Sequence, residues 1–537
     1  MSSSLIRGTF ILTLGTFISK FLGLFYVIPM YSILGREGTA LYQYGYVPYT
    51  IAISVATAGV PLAVSKFISK YNAMEEYEVG RKLFRSGIVL MLLTGIATFL
   101  ILFALAPVLA DSIIPDEGFL STRAEVIGVI RAVSFALILV PFLSLIRGFF
   151  QGHESMGPSA VSQVVEQIVR IVFLLAASYA VIYIFKGELS TAVNFATFAA
   201  FVGATGGLAV LGWYWFRRKS HLDKLSVRSK GKVQLSTWDM YKELLTYAGP
   251  FVLVGIANPL YQFIDQLTFN RAMAEAGFSG IEAEAAFSAL NFSSHKLVMI
   301  PVSLAIALSL TLVPVITKSF VRQEYKTLHD QLNQTFQVLL FLTVPACAGL
   351  MLLAEPMYTF FYENDPLGIG ILQAYAPVAI LFALFSVTAA ILQGINEQRY
   401  TLLSLLVGLL VKLSLNIPLI KWLDAEGAIV ATALGYTAAI LINLFVIKWA
   451  TAFQYKKVIK VSILILLLTG FMLLAVWAVY TILKAFIVPT TMLQALCILI
   501  PSVVMGVIAY GLVSLKLGIV AKLFPGQYQK LKARVLG

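Results

Sequence analysis

Apolar residues run in long blocks along the whole chain, interrupted only by short polar clusters. Most blocks hold roughly 20 or more residues, enough to cross a hydrocarbon core of about 30 Å as a helix. Backbone polar groups inside lipid must be satisfied within the spanning structure, so blocks of this length predict a helix bundle and not a β-barrel. The pattern gives about fourteen segments, at 6–33, 43–70, 82–113, 124–151, 157–185, 192–217, 240–274, 285–317, 328–361, 368–394, 400–422, 427–453, 457–485 and 490–521. The start "MSSSLIRGTF" has no small-residue cleavage site behind its first apolar run, so the first helix is expected to remain.

The polar breaks alternate in charge. Lys66, Lys70, Arg81, Lys82 and Arg85 follow the second segment, and Arg217, Arg218, Lys219, Lys224, Arg228, Lys230, Lys232 and Lys242 follow the sixth. The breaks between are poor in Lys and Arg and often acidic, as in "DSIIPDEGF" and "FYENDP". The positive-inside rule therefore puts the even-numbered loops and both termini in the cytoplasm of a multi-pass plasma-membrane protein. A weak internal repeat overlies this layout. "EYEVGRKLFRSGIVL" from Glu76 parallels "EYKTLHDQLNQTFQV" from Glu324, and "QGHESMGPSAVSQVVEQIVRIVF" from Gln151 parallels "QGINEQRYTLLSLLVGLLVKLSL" from Gln393, with Arg170 and Lys412 at the same offset. Six segments recurring in the same orientation make a parallel repeat, the plan of many secondary transporters, with a site between two lobes. The expected fold is an all-α polytopic membrane protein. Its divisions are an N-terminal lobe (1–218), a basic linker (219–239), a pseudo-symmetric C-terminal lobe (240–455) and two further helices with a basic tail (456–537).

Composition narrows the function classes. The 537 residues are 59% hydrophobic and only 12% charged, far from soluble-globular usage. A net charge of +13 could suggest nucleic acid, but its confinement to alternate loops reports topology instead. Cys347 and Cys497 lie in apolar segments without metal-site neighbours and are expected to be packed free thiols. No phosphate-binding P-loop is present, which excludes transport driven by the chain's own ATPase, and no long loop carries a catalytic cluster. No cofactor is expected.

A few polar side chains break the apolar blocks at their centres. Lys20, in "TLGTFISKFLGLFYVIPM", lies about 15 Å from either end of its segment, beyond the reach of snorkelling. Thr9, Thr13, Thr16 and Lys20 share one helical face, and so do Ser159, Gln163, Glu166 and Arg170 in the fifth segment. A charge there requires either a buried acid as partner or a water-filled cavity, and the cavity is the expectation for Lys20. Glu166 and Arg170, spaced i, i+4, form either a structural ion pair or part of that cavity. Asn258, Gln262 and Asp265 share a face of the seventh segment. Asp265 has no basic neighbour on its own helix and is expected to be protonated, paired across helices or ion-binding. In "FSSHKLVMIP", Lys296 either snorkels outward or enters the cavity, and His295 has no further ligands that would make a metal site.

"RGFFQGHESMGPSAVSQVVEQIVRIVFLL", "SKFLG" in the first segment and "TAGVPLAVSKFISKY" in the second resemble the polysaccharide-transporter branch of the MATE-like flippase superfamily. Within it the chain is most similar to the MurJ-type lipid II flippases of Gram-positive, Bacillus-like bacteria, over essentially its whole length. The resemblance implies a MATE-like fold and a flippase that moves an undecaprenyl-diphosphate-linked disaccharide-peptide to the outer leaflet. It also implies that Lys20 and Lys296 fall on positions where the Gram-negative branch keeps essential cavity arginines. Another first-helix arginine of that branch is Tyr26 here, and the second-helix arginine falls in the uncharged "YTIAISVAT". On the stripe alone, Arg170 is the candidate replacement charge.

The expected central site is therefore Lys20, Lys296 and Arg170 as headgroup-binding cations, lined by Thr13, Thr16 and Gln163. Glu166, Asp265 and Gln262 are candidates for coupling an ion whose identity the sequence does not give. Expected partners are lipid II or a related polyprenyl-linked glycan, membrane lipids and cell-wall synthesis proteins. Competing classes are a flippase for teichoic, capsular or spore-cortex precursors, a drug exporter of the same superfamily, a membrane glycosyltransferase and a scaffold. An acid-dominated cavity with twelve helices would favour the exporter, and carboxylates on a large outer loop would favour the transferase. The chain has neither pattern.

Overall fold

The computed structural model describes residues 3–57, 59–115, 118–227 and 255–523, with single positions 229, 236, 238 and 242. Parts of the expected linker, the start of the seventh segment and the tail after 523 lie outside the described residues. Among those described there is no strand, and eleven helices are long and apolar enough to cross a membrane. The chain is a multi-pass helical membrane protein. By internal contacts it divides into a first unit, Met1–Ala274 with Phe278–Ser288, and a second, Glu275–Gly277 with Ala289–Gly537.

In the first unit the helices are α1 (Ser3–Phe25), α2 (Val27–Thr57), α3 (Val60–Ala73), α4 (Tyr77–Ile113), α5 (Arg123–Ser134), α6 (Ala136–Gly152), α7 (Met156–Tyr179), α8 (Leu189–Val227), α9 (Ala257–Glu275, whose last residue clusters with the second unit) and α10 (Gly280–Ser288). The second unit begins with a π-helical stretch, Ala289–Ser294. It continues through α11 (His295–Val321), α12 (Tyr325–Leu352), α13 (Ala354–Phe361), α14 (Pro366–Tyr375), α15 (Val378–Gly394), α16 (Gln398–Leu423) and α17 (Ala425–Thr451). Last come α18 (Lys456–Phe486), α19 (Met492–Lys516) and α20 (Ile519–Leu523). Local signals set several starts. Thr122 and Glu125 form a capping box on α5, Thr491 and Gln494 another on α19, and Asp365 caps α14 with Pro366 in its first turn.

The repeat is visible in the backbone. The turns before α4 and α12 place Glu75 and Gln323 at positive φ, and those before α7 and α16 place Glu154 and Asn396 there. Each turn closes with the same 6→1 bond: Glu76 N–H to Tyr71 O, Glu324 to Ser319, Ser155 to Phe150 and Glu397 to Leu392. The duplicated Gln-Gly pairs also do the same work. A Cβ on Gly152 would lie 2.7 Å from the Ile68 side chain, and one on Gly394 would lie 2.9 Å from that of Ile316, so each glycine admits a neighbouring helix at the same place in its unit. Corresponding apolar cores follow, with Phe67, Leu83, Phe84, Phe149 and Phe150 in the first unit and Ile316, Leu332, Phe336, Ile391 and Phe453 in the second.

The first two expected segments are divided differently from the hydropathy pattern. α1 ends at Phe25, and the polar break at 34–42, expected as a loop, is helical and largely buried. Gly35, at φ 66°, makes the change of direction within a single residue, so α2 resumes at once. The second segment is split before Val60 by Gly59 at φ 76°. The thiols also differ from expectation, since Cys347 is buried but Cys497 is exposed on α19.

Candidate functional site

Small residues bring α1 onto α7. A Cβ on Gly15 would meet Ala160 at 2.8 Å, and one on Gly23 would meet the Gln167 amide at 3.3 Å. Between these contacts the two polar stripes touch: the Thr16 hydroxyl donates to Leu12 O at 2.9 Å and lies 3.2 Å from Gln163 Oε1. Lys20, one turn further along α1, is exposed, and among the described residues no acid pairs with it. A paired, buried lysine would need an acid beside it, and none among the described residues fills that place. The side chains of Thr9 and Thr13 lie outside the described residues.

Glu166 and Arg170 do not pair with each other. Arg147, from the "RGFFQG" turn of α6, places Nη2 2.6 Å from Glu166 Oε2 and donates through Nε to Ser162 Oγ at 2.9 Å. The same arginine's carbonyl accepts the Ser159 hydroxyl at 3.1 Å. The i, i+4 spacing permits the local pair, but α8 presses on this face. A Cβ on Gly203 would fall 2.8 Å from Arg170 Cβ and 2.9 Å from Glu166 O, so the two side chains diverge around a tightly packed glycine. Arg170 turns instead to a group of tyrosines. Its Nη2 donates to Tyr42 Oη at 3.1 Å, and its guanidinium lies 5.3 Å from the centre of the Tyr46 ring. Tyr42 is hydrogen-bonded in turn to Tyr26, and Tyr42 and Tyr46 stack at 5.3 Å. Arg170 thus projects toward Tyr26, the residue between α1 and α2 where the resemblance finds a tyrosine in place of an arginine.

On α9, Asp265 is 5% exposed and Gln262 half-buried, and both have polar partners. Their neighbours Gln266 and Asn270 bind α2, with Gln266 Nε2 donating to Tyr44 O and Asn270 Nδ2 to Tyr44 Oη, each at 2.7 Å.

The second unit carries its own cations. Lys296, half-buried on α11, holds its Nζ 4.3 Å from the centre of the Phe292 ring. His295 lies 3.0 Å from the Tyr375 hydroxyl through Nδ1 and feels the charges of both Lys296 and Lys412. Lys412 is fully buried, donating from α16 to Thr432 Oγ1 on α17 at 2.5 Å. Two functional candidates, Arg147 and Lys412, were absent from the expected site. The signal for Lys412 was its repeat register with Arg170, and that for Arg147 was the "RGFFQG" motif. Among the described residues no group of His, Cys, Asp and Glu could hold a metal ion.

In the first unit Lys20 and the aromatic-backed Arg170 can donate hydrogen bonds to an anionic oxygen, and among the described residues no carboxylate pairs with either. Residues 5–320 match the family described as polysaccharide biosynthesis protein. The chain is 48% identical over 540 residues to the lipid II flippase MurJ of Bacillus subtilis, covering 99% of each chain. Among solved structures it resembles lipid II flippase MurJ in an inward closed conformation, with a TM-score of 0.60 at 17% identity over 95% of this chain and 99% of that one. It also resembles an inward-facing multidrug resistance MATE transporter, with a TM-score of 0.62 at 16% identity over 81% of this chain and 95% of that one.

Proposed function

The chain belongs to the polysaccharide biosynthesis protein family, and on that premise we propose that it is a lipid II flippase of the plasma membrane. It carries undecaprenyl-diphosphate-linked disaccharide-peptide from the inner to the outer leaflet by alternating access of two lobes. Near-half identity along the full length of a flippase of that substrate carries this reading. Both termini are cytoplasmic, in accord with the Lys and Arg of alternate loops.

Moving a diphosphate through hydrocarbon is prohibitive unless cations replace its hydration. Lys20, exposed and with no acid paired to it among the described residues, is the first such cation, and Arg170 and Lys296 are the others. Tyrosine rings hold Arg170 without neutralising it, so it keeps its charge for the substrate, and the Phe292 ring lies against Lys296. Thr16 and Gln163 line the path, while the polyprenyl tail stays in lipid. With no ATPase, the work comes from an ion gradient, the membrane potential or consumption of the product. A single charge crossing 100 mV supplies about 2.3 kcal/mol. Asp265 with Gln262 is the candidate coupling site, whereas the charge of Glu166 is engaged by Arg147. Cell-wall synthesis enzymes that consume lipid II are the expected partners.

Depleting the protein and measuring which undecaprenyl-linked intermediate builds up on the cytoplasmic leaflet tests the substrate. Lipid II accumulation is the expected result, and accumulation of a teichoic, capsular or spore-cortex precursor instead would sink the assignment.

A further inference from the structure

One buried carboxylate of the first unit plays no part in that transport path. Glu284, on α10, is 1% exposed. Its Oε2 accepts the Leu120 N–H at 2.9 Å and the Ser121 N–H at 3.1 Å, and its Oε1 lies 3.5 Å from the Tyr44 hydroxyl. It therefore clasps the loop between α4 and α5 onto a helix far along the chain. The backbones are pressed together at the same place, since a Cβ on Gly280 would fall 2.4 Å from Gly118 O. Tyr44 is itself fixed by Asn270 and Gln266, and Asn270 also holds Ile113 O at the end of α4.

No cation balances this charge among the described residues. Arg123, the basic residue at the end of the loop, is turned to Ile114 O, Pro115 O and Asp111. Glu282, on the same helix, is exposed and bonded to Ser279. Among the described residues Tyr44 is the titratable group that faces Glu284.

We propose that Glu284 is a proton-binding site that sets the grip of this clasp: protonation closes it and loss of the proton loosens it. The proton sits on Oε1 and donates to Tyr44 Oη, which turns from donor to acceptor beside its bond from Asn270. Oε2, now a carbonyl oxygen, keeps both N–H bonds. Without the proton, a bare charge is buried with no cation near it and is drawn toward water, taking the loop off α10. Burial pushes the Glu284 carboxyl up from its ordinary range, against the pull of the Ser121 and Leu120 donors and of Tyr44. The clasped form thus holds the proton more tightly than the released form. Its stability is fully present below the ordinary carboxyl pKa and is lost as pH rises through the raised one. α10 leads directly into the π-helical stretch at 289–294, where the first unit gives way to the second, so the clasp controls how firmly the approach to that boundary is held. The proposal is independent of the transported lipid.

Hydrogen–deuterium exchange of residues 118–122, on the full chain in lipid nanodiscs between pH 5 and 8, tests it. Exchange is normalised to the intrinsic rate at each pH. Wild-type protection is expected to fall as pH rises, by at most about tenfold per pH unit, the limit for one proton. Glu284→Gln presents an amide oxygen to both N–H groups and an NH2 to Tyr44, so it is expected to stay protected with a flat profile. Wild-type protection that is flat or grows with pH overturns the proposal, as does a folded Glu284→Gln protein that leaves these amides unprotected. The wild-type profile decides alone if the variant does not fold.

Discussion

Replacing Arg147 by alanine isolates the ion pair on which the geometry of α7 rests. The change removes a charged bond to Glu166 at 2.6 Å and a second bond to Ser162 at 2.9 Å, while leaving the carboxylate in place. Stripping one partner from a fully buried pair costs about 3–5 kcal/mol. The two side chains keep 12% and 24% of their exposure, so water recovers part of the loss and about 2–3 kcal/mol is expected. Ser162 keeps its own bond to Ser159 O and adds little. Removing both charges, as Arg147→Met with Glu166→Leu, should bring stability back to within about 1 kcal/mol of wild type, because no orphaned charge remains. Reversible unfolding in mixed micelles measures the four corners of this cycle, and flipping is assayed on the same proteins. Additive single effects, with no coupling between the positions, would refute the pairing argument. A double variant that is stable but does not flip would move Glu166 from a structural role into the transport chemistry.

Other consequences follow from the same contacts. Gly203→Leu drives a side chain into Arg170 and the Glu166 backbone and should destabilise by about 1–3 kcal/mol or more, read from the same unfolding assay. Tyr42→Phe removes one hydrogen bond from Arg170 while preserving the ring, so a loss of about 0.5–1.5 kcal/mol in stability is expected, with flipping retained; Arg170→Ala should lose flipping in cells that rely on this protein. A membrane-permeant maleimide should label the exposed Cys497 and leave the buried Cys347 unmodified in the folded protein, as mass spectrometry of the two peptides would report.

Much of the architecture was legible because membrane spans are written in hydropathy. The fifth, eleventh and twelfth segments were expected within a few residues of where α7 with the π-helical turn Ala180–Ile184 that follows it, α16 and α17 lie. The duplicated Gln-Gly turns marked the repeat that the backbone bonds bear out. Hydropathy misplaced the breaks in α1 and α2, since the polar run beside Gly35 reads as a loop but folds as helix, with Gly35 alone redirecting the chain. Helical spacing put Glu166 near Arg170, but the competition from Arg147 and the tyrosines comes from helices remote in sequence. Glu284 was missed for the same reason: its partners are backbone N–H groups, which carry no residue identity.

The central claim is that Lys20 meets the headgroup of the transported lipid. It is tested most directly in cells whose only flippase is this protein, by measuring lipid II accessible from outside in wild type and in Lys20→Ala at equal membrane levels. The account predicts that the variant inserts normally and that externally accessible lipid II is lost. Equal external lipid II in the two strains would contradict it.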